Sequence, residues 1–175
     1  MKKYSTMVAY SFAAAMALVV TADAQTMNRK LSDVDQRFLK EAIEGDLAEI
    51  NMGKLAQEKG QSQETKQFGQ MLEQDHSEHL QKAKETAQQM GLVAPAEPNA
   101  KQKRMYDQVS KLSDGQFDKH FADDMVKDHK QDIKKYEKEA KSKGPLADFA
   151  QETIPTLQKH LQTAESVARQ TSSKH

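Results

Sequence analysis

Apolar residues recur at helical spacing along four long stretches of this chain, and each stretch opens its apolar face on a phenylalanine: Phe38, Phe68, Phe121 and Phe149. Eleven residues after each stands a polar side chain: Glu49, His79, Asp132 and His160 in turn. Eight residues after the first three stands another, Asp46, His76 or His129, while Leu157 takes that place in the fourth. At about 100° per residue, His79 projects about 20° and His76 about 80° from Phe68, inside the stripe made by Leu72, Leu80, Ala83, Ala87 and Met90. Asp132 and His129 repeat those angles after Phe121, beside Met125, Ile133 and Tyr136. Glu49 and Asp46 lie among Ala42, Ile50 and Ala56, and His160 lies among Thr153, Leu161 and Ala164. Four helices therefore aim metal-binding side-chain types at their own core.

Punctuation residues set the helix limits. Ser32 caps a helix over about 33–59 that stops at Gly60, and Ser62 opens a second over about 62–90 that stops at Gly91. Ser113 with Gln116 forms a capping box for a third over about 114–143, stopped by Gly144. Pro145 suits the first position of a fourth over about 145–169, with 170–175 as a frayed tail. Pro155 should bend that helix one turn before His160. Between the second and third helices, residues 92–113 hold Pro95 and Pro98 and then a short amphipathic helix over about 100–112. That linker is long enough to cross the bundle, whereas the other two connections force antiparallel neighbours. Two antiparallel hairpins joined by one long crossover define an all-α, ferritin-like four-helix bundle. Phe68, Asp75-His76 and Gly91 match Phe121, Asp128-His129 and Gly144 at a constant offset of 53, which relates the second helix to the third.

Composition narrows the classes of function. Residues 1–24 read as an export signal, with Lys2 and Lys3, an apolar run from Met7 to Val20, and Ala22-Asp23-Ala24 before cleavage. The expected mature chain is residues 25–175, one domain, periplasmic, associated with an outer membrane or extracellular, without a transmembrane anchor. No cysteine is present, which excludes disulfides and a lipid-bearing cysteine. Removing Lys2, Lys3 and Asp23 leaves 24 basic and 25 acidic side chains, so no field steers the protein toward nucleic acid.

The candidate metal ligands are Glu49, His76, His129 and His160, with Asp46, His79 and Asp132 as further candidates and Asp75 and Asp128 as orienting groups. Any one histidine on an apolar face is more simply a hydrogen-bonded core residue. Burying the whole set without partners costs several kcal/mol, so the groups must pair, hold water or bind an ion. Glu73 and His76 form a Glu-x-x-His pair, but Val126 and Leu157 occupy the matching places on the third and fourth helices, which counts against a di-iron oxidase. Met52, Met71, Met90 and Met125 read as core filler, and His120 as solvated.

Three strings carry a resemblance. They are Phe38-Leu39-Lys40-Glu41-Ala42 leading to Ala48-Glu49-Ile50, then Lys66-Gln67-Phe68 leading to Asp75-His76, and Ile154-Pro155-Thr156-Leu157 before His160-Leu161. From about Val34 to Ala168 the chain resembles the exported bacterial family called domain of unknown function 4142, whose members are regarded as ferritin-like bundles. The resemblance implies that Glu49, Asp75, His76, His129 and His160 occupy characteristic positions, and that His79 and Asp132 are individual to this sequence. The expected function is binding of iron, zinc, manganese or copper for buffering, storage or protection against redox stress. A redox-active ion would also open oxidase or peroxide-scavenging chemistry. The alternative is a metal-free envelope or stress protein that binds a protein partner. A third reading is association with a membrane through an amphipathic face.

Overall fold

The computed structural model describes residues 31–172, and the expected export segment lies outside them. Among the described residues there are five helices and no strand: α1 (Asp33–Lys59), α2 (Gln63–Gln89), α3 (Ala100–Ser110), α4 (Asp114–Ala140) and α5 (Ala147–Ser172). Local chemistry starts most of them. Ser32 and Asp35 form a reciprocal capping box on α1, Asn99 and Gln102 another on α3, and the Ser62 hydroxyl accepts from the Thr65 amide to open α2. Gly91, at φ 68°, ends α2 in the left-handed conformation, with the Leu92 amide donating back to the Ala87 carbonyl at 2.8 Å.

Four expectations need correction. Ser113 sits at the N-cap of α4 but makes no side-chain capping bond, so the expected box with Gln116 is absent. α4 stops at Ala140, because the Ser142 amide turns back to the Glu139 carbonyl and Lys143, not Gly144, takes a positive φ of 56°. Pro145 lies in a tight turn closed by the Ala147 amide on the Gly144 carbonyl, and α5 begins only at Ala147. α5 then continues to Ser172 instead of fraying at 170, with Thr171 buried at its end.

The three-residue connection 60–62 folds α2 back along α1. Opposed pairs run in reverse order, Gly53 against Gly69 and then Asp46 against His76. α4 and α5 pair the same way, with Met125 level with Ala164 in one core cluster and Tyr136 near Phe149. Asp118 of α4 clasps the first hairpin turn, its two oxygens accepting from the Gln61 and Ser62 amides at 2.9 Å each. Phe68 meets Phe121 at 5.7 Å and His76 meets His129 at 6.0 Å, so α2 and α4 run parallel with the offset of 53 realised in space. α2 also packs on α5, and α3 lies across α1 and α4.

α1 and α2 touch backbone to backbone at two glycines. A Cβ on Gly53 would lie 2.6 Å from the Gly69 carbonyl oxygen, and one on Gly69 would lie 2.6 Å from the Gly53 oxygen. Gly53→Ala should therefore lower stability by about 2 kcal/mol despite alanine's better helix propensity, read from the urea midpoint at constant slope. An unchanged midpoint would show that the helices separate freely there.

The core is layered. One apolar cluster holds Met52, Leu55, Phe68, Leu72, Phe117, Phe121, Met125 and Val167 at one end of the bundle. At the other end, two further clusters hold Leu39, Ile43, Ala83 and Leu146, and Ala42, Tyr136, Ala150 and Ile154. Between them lies a buried polar layer containing Asp46, Glu49, His76, His129 and His160. The methionines serve packing: Met52 and Met125 belong to the first cluster and Met71 packs against it, while Met90 packs against the second.

Candidate metal centre

Each long helix delivers its polar residue to this layer because the layer falls near its midpoint. Three rings converge. One nitrogen from each of His76, His129 and His160 lies within 4.8 Å of the others, and all three residues are buried. The closest pair is His129 Nε2 and His160 Nδ1, at 3.2 Å.

The outer partners of the rings fix where the protons sit. His129 donates from Nδ1 to the Met125 carbonyl at 3.0 Å, which leaves Nε2 as a lone pair. His160 donates from Nε2 to Asp75 Oδ2 at 2.9 Å, which leaves Nδ1 as a lone pair. His76 donates from Nδ1 to Asp46 Oδ1 at 2.9 Å, and its Nε2 is buried without a partner. Two lone pairs thus face each other at 3.2 Å with a third ring nitrogen free beside them. Neutral imidazoles cannot satisfy that arrangement among themselves.

Electrostatics keeps two of the rings uncharged. Burial pushes His129 down to about 3, and the neighbouring His76 and His160 rings further oppose a positive charge there. Burial likewise pushes His160 down to about 4, with His76 adding to it and the Asp75 hydrogen bond opposing it. His76 moves the other way. Burial alone would lower it, but the Asp46 hydrogen bond and the charges of Glu49 and Asp46 outweigh burial and raise it. Glu49 is pushed up to about 8 by burial, against the pull of His76, and its Oε2 has no hydrogen-bond partner.

The remaining sequence candidates separate into distinct places. Asp46 accepts from both His76 and His79, the latter at 2.8 Å, so it orients rings from outside the cluster. His79 has both nitrogens engaged, with Asp46 and with the Thr153 hydroxyl at 3.1 Å, and it packs on Phe149. Asp132 is half-buried and lies 3.5 Å from Lys135. Asp75 orients His160 and also meets Lys159 at 3.2 Å. Asp128, expected to play the same part for its neighbour His129, instead lines a second cavity between α1, α3 and α4. Burial, then the Asp132 charge, raises Asp128 to about 6. Glu73 is turned to Gln57 and Lys54, away from the histidines, and His120 is exposed. Thr153 and the Met125 carbonyl were not legible as partners; a hydroxyl seven residues before His160, about two turns away, was the only available signal.

A cavity of about 260 Å³ adjoins the layer, walled by Asp46, Glu49, His76, His160, Tyr136 and Phe149 among others. An all-helical bundle with a buried three-histidine cluster is what fold and site together define. The chain matches the family model described as domain of unknown function (DUF4142) over residues 20–167, and it belongs to that family. No curated protein and no solved structure matches the chain. No helix among the described residues is long and apolar enough to cross a membrane.

Proposed function

We propose that this is an exported, ferritin-like bundle protein that holds a transition-metal ion on His76, His129 and His160, serving metal buffering, storage or protection against redox stress. The observation that carries the reading is the pair of imidazole lone pairs facing each other at 3.2 Å beside the unpartnered His76 Nε2. A cation is the one occupant that satisfies all three nitrogens together. Two nitrogens bound about 2.05 Å from a tetrahedral ion lie about 3.3 Å apart, close to the His129–His160 spacing. Ring orientation by Met125, Asp75 and Asp46 supports the same reading, since metal-bound imidazoles are held through their second nitrogen.

Imidazole donors suit zinc, copper and iron, manganese favours added carboxylate oxygen, and the cell's supply selects among them. Glu49 lines the same cavity but stands outside the three-nitrogen cluster, so a carboxylate ligand from it would require the side chain to move toward the ion. The ferritin-like description rests on the parallel α2 and α4 joined by the long crossover. Export rests on residues 1–24.

Metal analysis of protein purified from the export compartment should find bound ion, and chelation should lower the melting temperature by about 5–10 °C. That shift corresponds to an ion at roughly 100 times its dissociation constant. Absence of metal, together with a melt unmoved by iron, zinc, manganese or copper, would overturn the proposal. It would leave the reading in which the polar layer fixes helix register for a partner-binding protein.

A further inference from the structure

The geometry points to the groove between α1, α3 and α4 as the route by which a divalent cation reaches the histidines, passing Gly45 and the Glu49 carboxylate. This inference rests on the metal-centre reading above. The three rings are almost fully enclosed, so an ion needs a way in. The groove encloses about 700 Å³, and seven carboxylates line it against three lysines. It shares Glu41, Gly45, Glu49, Asp132 and Lys135 with the cavity that adjoins His76 and His160. The two spaces therefore share a wall, here called the waist, built from one face of α1 and one of α4.

Two independent features mark that waist. Glu49 is buried, belongs to both walls and leaves Oε2 without a hydrogen-bond partner. Gly45 sits in the middle of α1, where glycine costs about 1 kcal/mol relative to alanine. Nothing lies within 4 Å of where its Cβ would be, in contrast to the crowded Gly53 and Gly69. Close packing therefore does not call for a glycine here. The space its missing side chain leaves lies where the groove and the histidine cavity share a wall, and the proposed route crosses there.

The charge balance favours this side. The inner cavity's other mouth, between α2 and α5, carries Asp75, Glu78 and Glu152 against Lys82 and Lys159, and the Lys159 ammonium stands 3.2 Å from Asp75. On the groove side the excess of acid is larger, and a cleft lined by one sign of charge concentrates counter-ions. The groove carboxylates do not converge as the histidine nitrogens do, which suits successive weak holds better than a second resting site. Lys135, 3.4 Å from Glu41 and 3.5 Å from Asp132, is the one cation standing at the waist.

Stopped-flow loading of the metal-free protein with cobalt(II), followed by the visible band of imidazole-bound cobalt, tests the route. Gly45→Leu should slow loading about 10-fold or more, with the same final absorbance and a metal-free melting temperature equal to or above that of the native chain. Lys135→Gln should accelerate loading. Asp128→Asn should slow it and weaken its dependence on salt. Should Gly45→Leu not fold, the latter two variants decide, and they act in opposite directions. A normal cobalt band with native rates in the folded variants overturns the route alone, as does acceleration confined to neutralising changes at Lys82 and Lys159. No imidazole–cobalt band in the native chain overturns the metal centre and the route with it.

Discussion

The double variant His129→Leu, His160→Met should melt at or above the temperature of the native chain in the presence of chelator, while its ion affinity falls by more than 100-fold. Both halves follow from one geometry. Without an ion, two enclosed imidazoles present lone pairs to each other at 3.2 Å, an arrangement that gives back little of its desolvation cost. Apolar side chains of similar volume remove that cost, and replacements of this kind are neutral or stabilising by about 1–4 kcal/mol. With an ion, the same substitutions remove two donors, a larger loss than the about 10–100-fold that follows removal of an outer partner. Asp46→Leu supplies the contrast. It strips His76 and His79 of their shared acceptor and should cost about 3–5 kcal/mol in chelator. Urea unfolding with and without zinc measures all three. A double variant several kcal/mol less stable than the native chain in chelator would mean that the rings serve the fold and not an ion.

Raising the pH from 6.5 to 8.5 should destabilise the metal-free protein and widen the gap between its melting temperature and that of the zinc-loaded form. Glu49 is the main cause. Burial holds its pKa near 8 in the fold, against 4.5 when unfolded, so up to about pH 8 the native state keeps a proton that the unfolded chain has lost, and the effect levels off above that. Stability falls with pH wherever the native state binds more protons, and the effect is on the order of a few kcal/mol. His76, raised above 6.5, adds to the decline. His129 and His160 act on the acid side, because the native state holds them neutral below 6.5 where the unfolded chain is protonated, so stability is lost as pH falls toward 3 to 4. Asp128, raised to about 6, opposes them between 3.8 and 6 and makes the acid limb shallow. Ion binding requires deprotonated ligands and therefore runs the other way, gaining as pH rises. Glu49→Gln should flatten the alkaline decline. A metal-free protein equally stable at both pH values would show that Glu49 is not held protonated.

The helices and their order were legible because the stripe of apolar residues repeats at 3.6 and because Ser32, Ser62, Gly60 and Gly91 mark helix ends by ordinary capping chemistry. The level of the polar layer was legible too, since helices of similar length joined by tight turns bring their midpoints together. What a single helix cannot reveal is which neighbour its residues meet. Asp75 and Asp128 each precede a histidine and project at the same angle, yet α5 stands beside the first and the α3 groove beside the second. Asp46 and His79 looked like ligands for the same reason. Across the hairpin they are paired with each other, a contact that neither helix shows by itself. The turn around Pro145 followed from backbone bonds at Gly144 and Leu146 that no periodicity encodes.

The three rings are divided between the two halves of the molecule: His76 comes from the α1–α2 hairpin, and His129 and His160 come from the α4–α5 hairpin. Neither half owns the centre. A chain ending before α4 would carry only one of the three converging rings, and the second half alone would carry the other two with no third to close the set. On the proposed reading, an ion held by all three rings would be retained only when both halves are seated on one another.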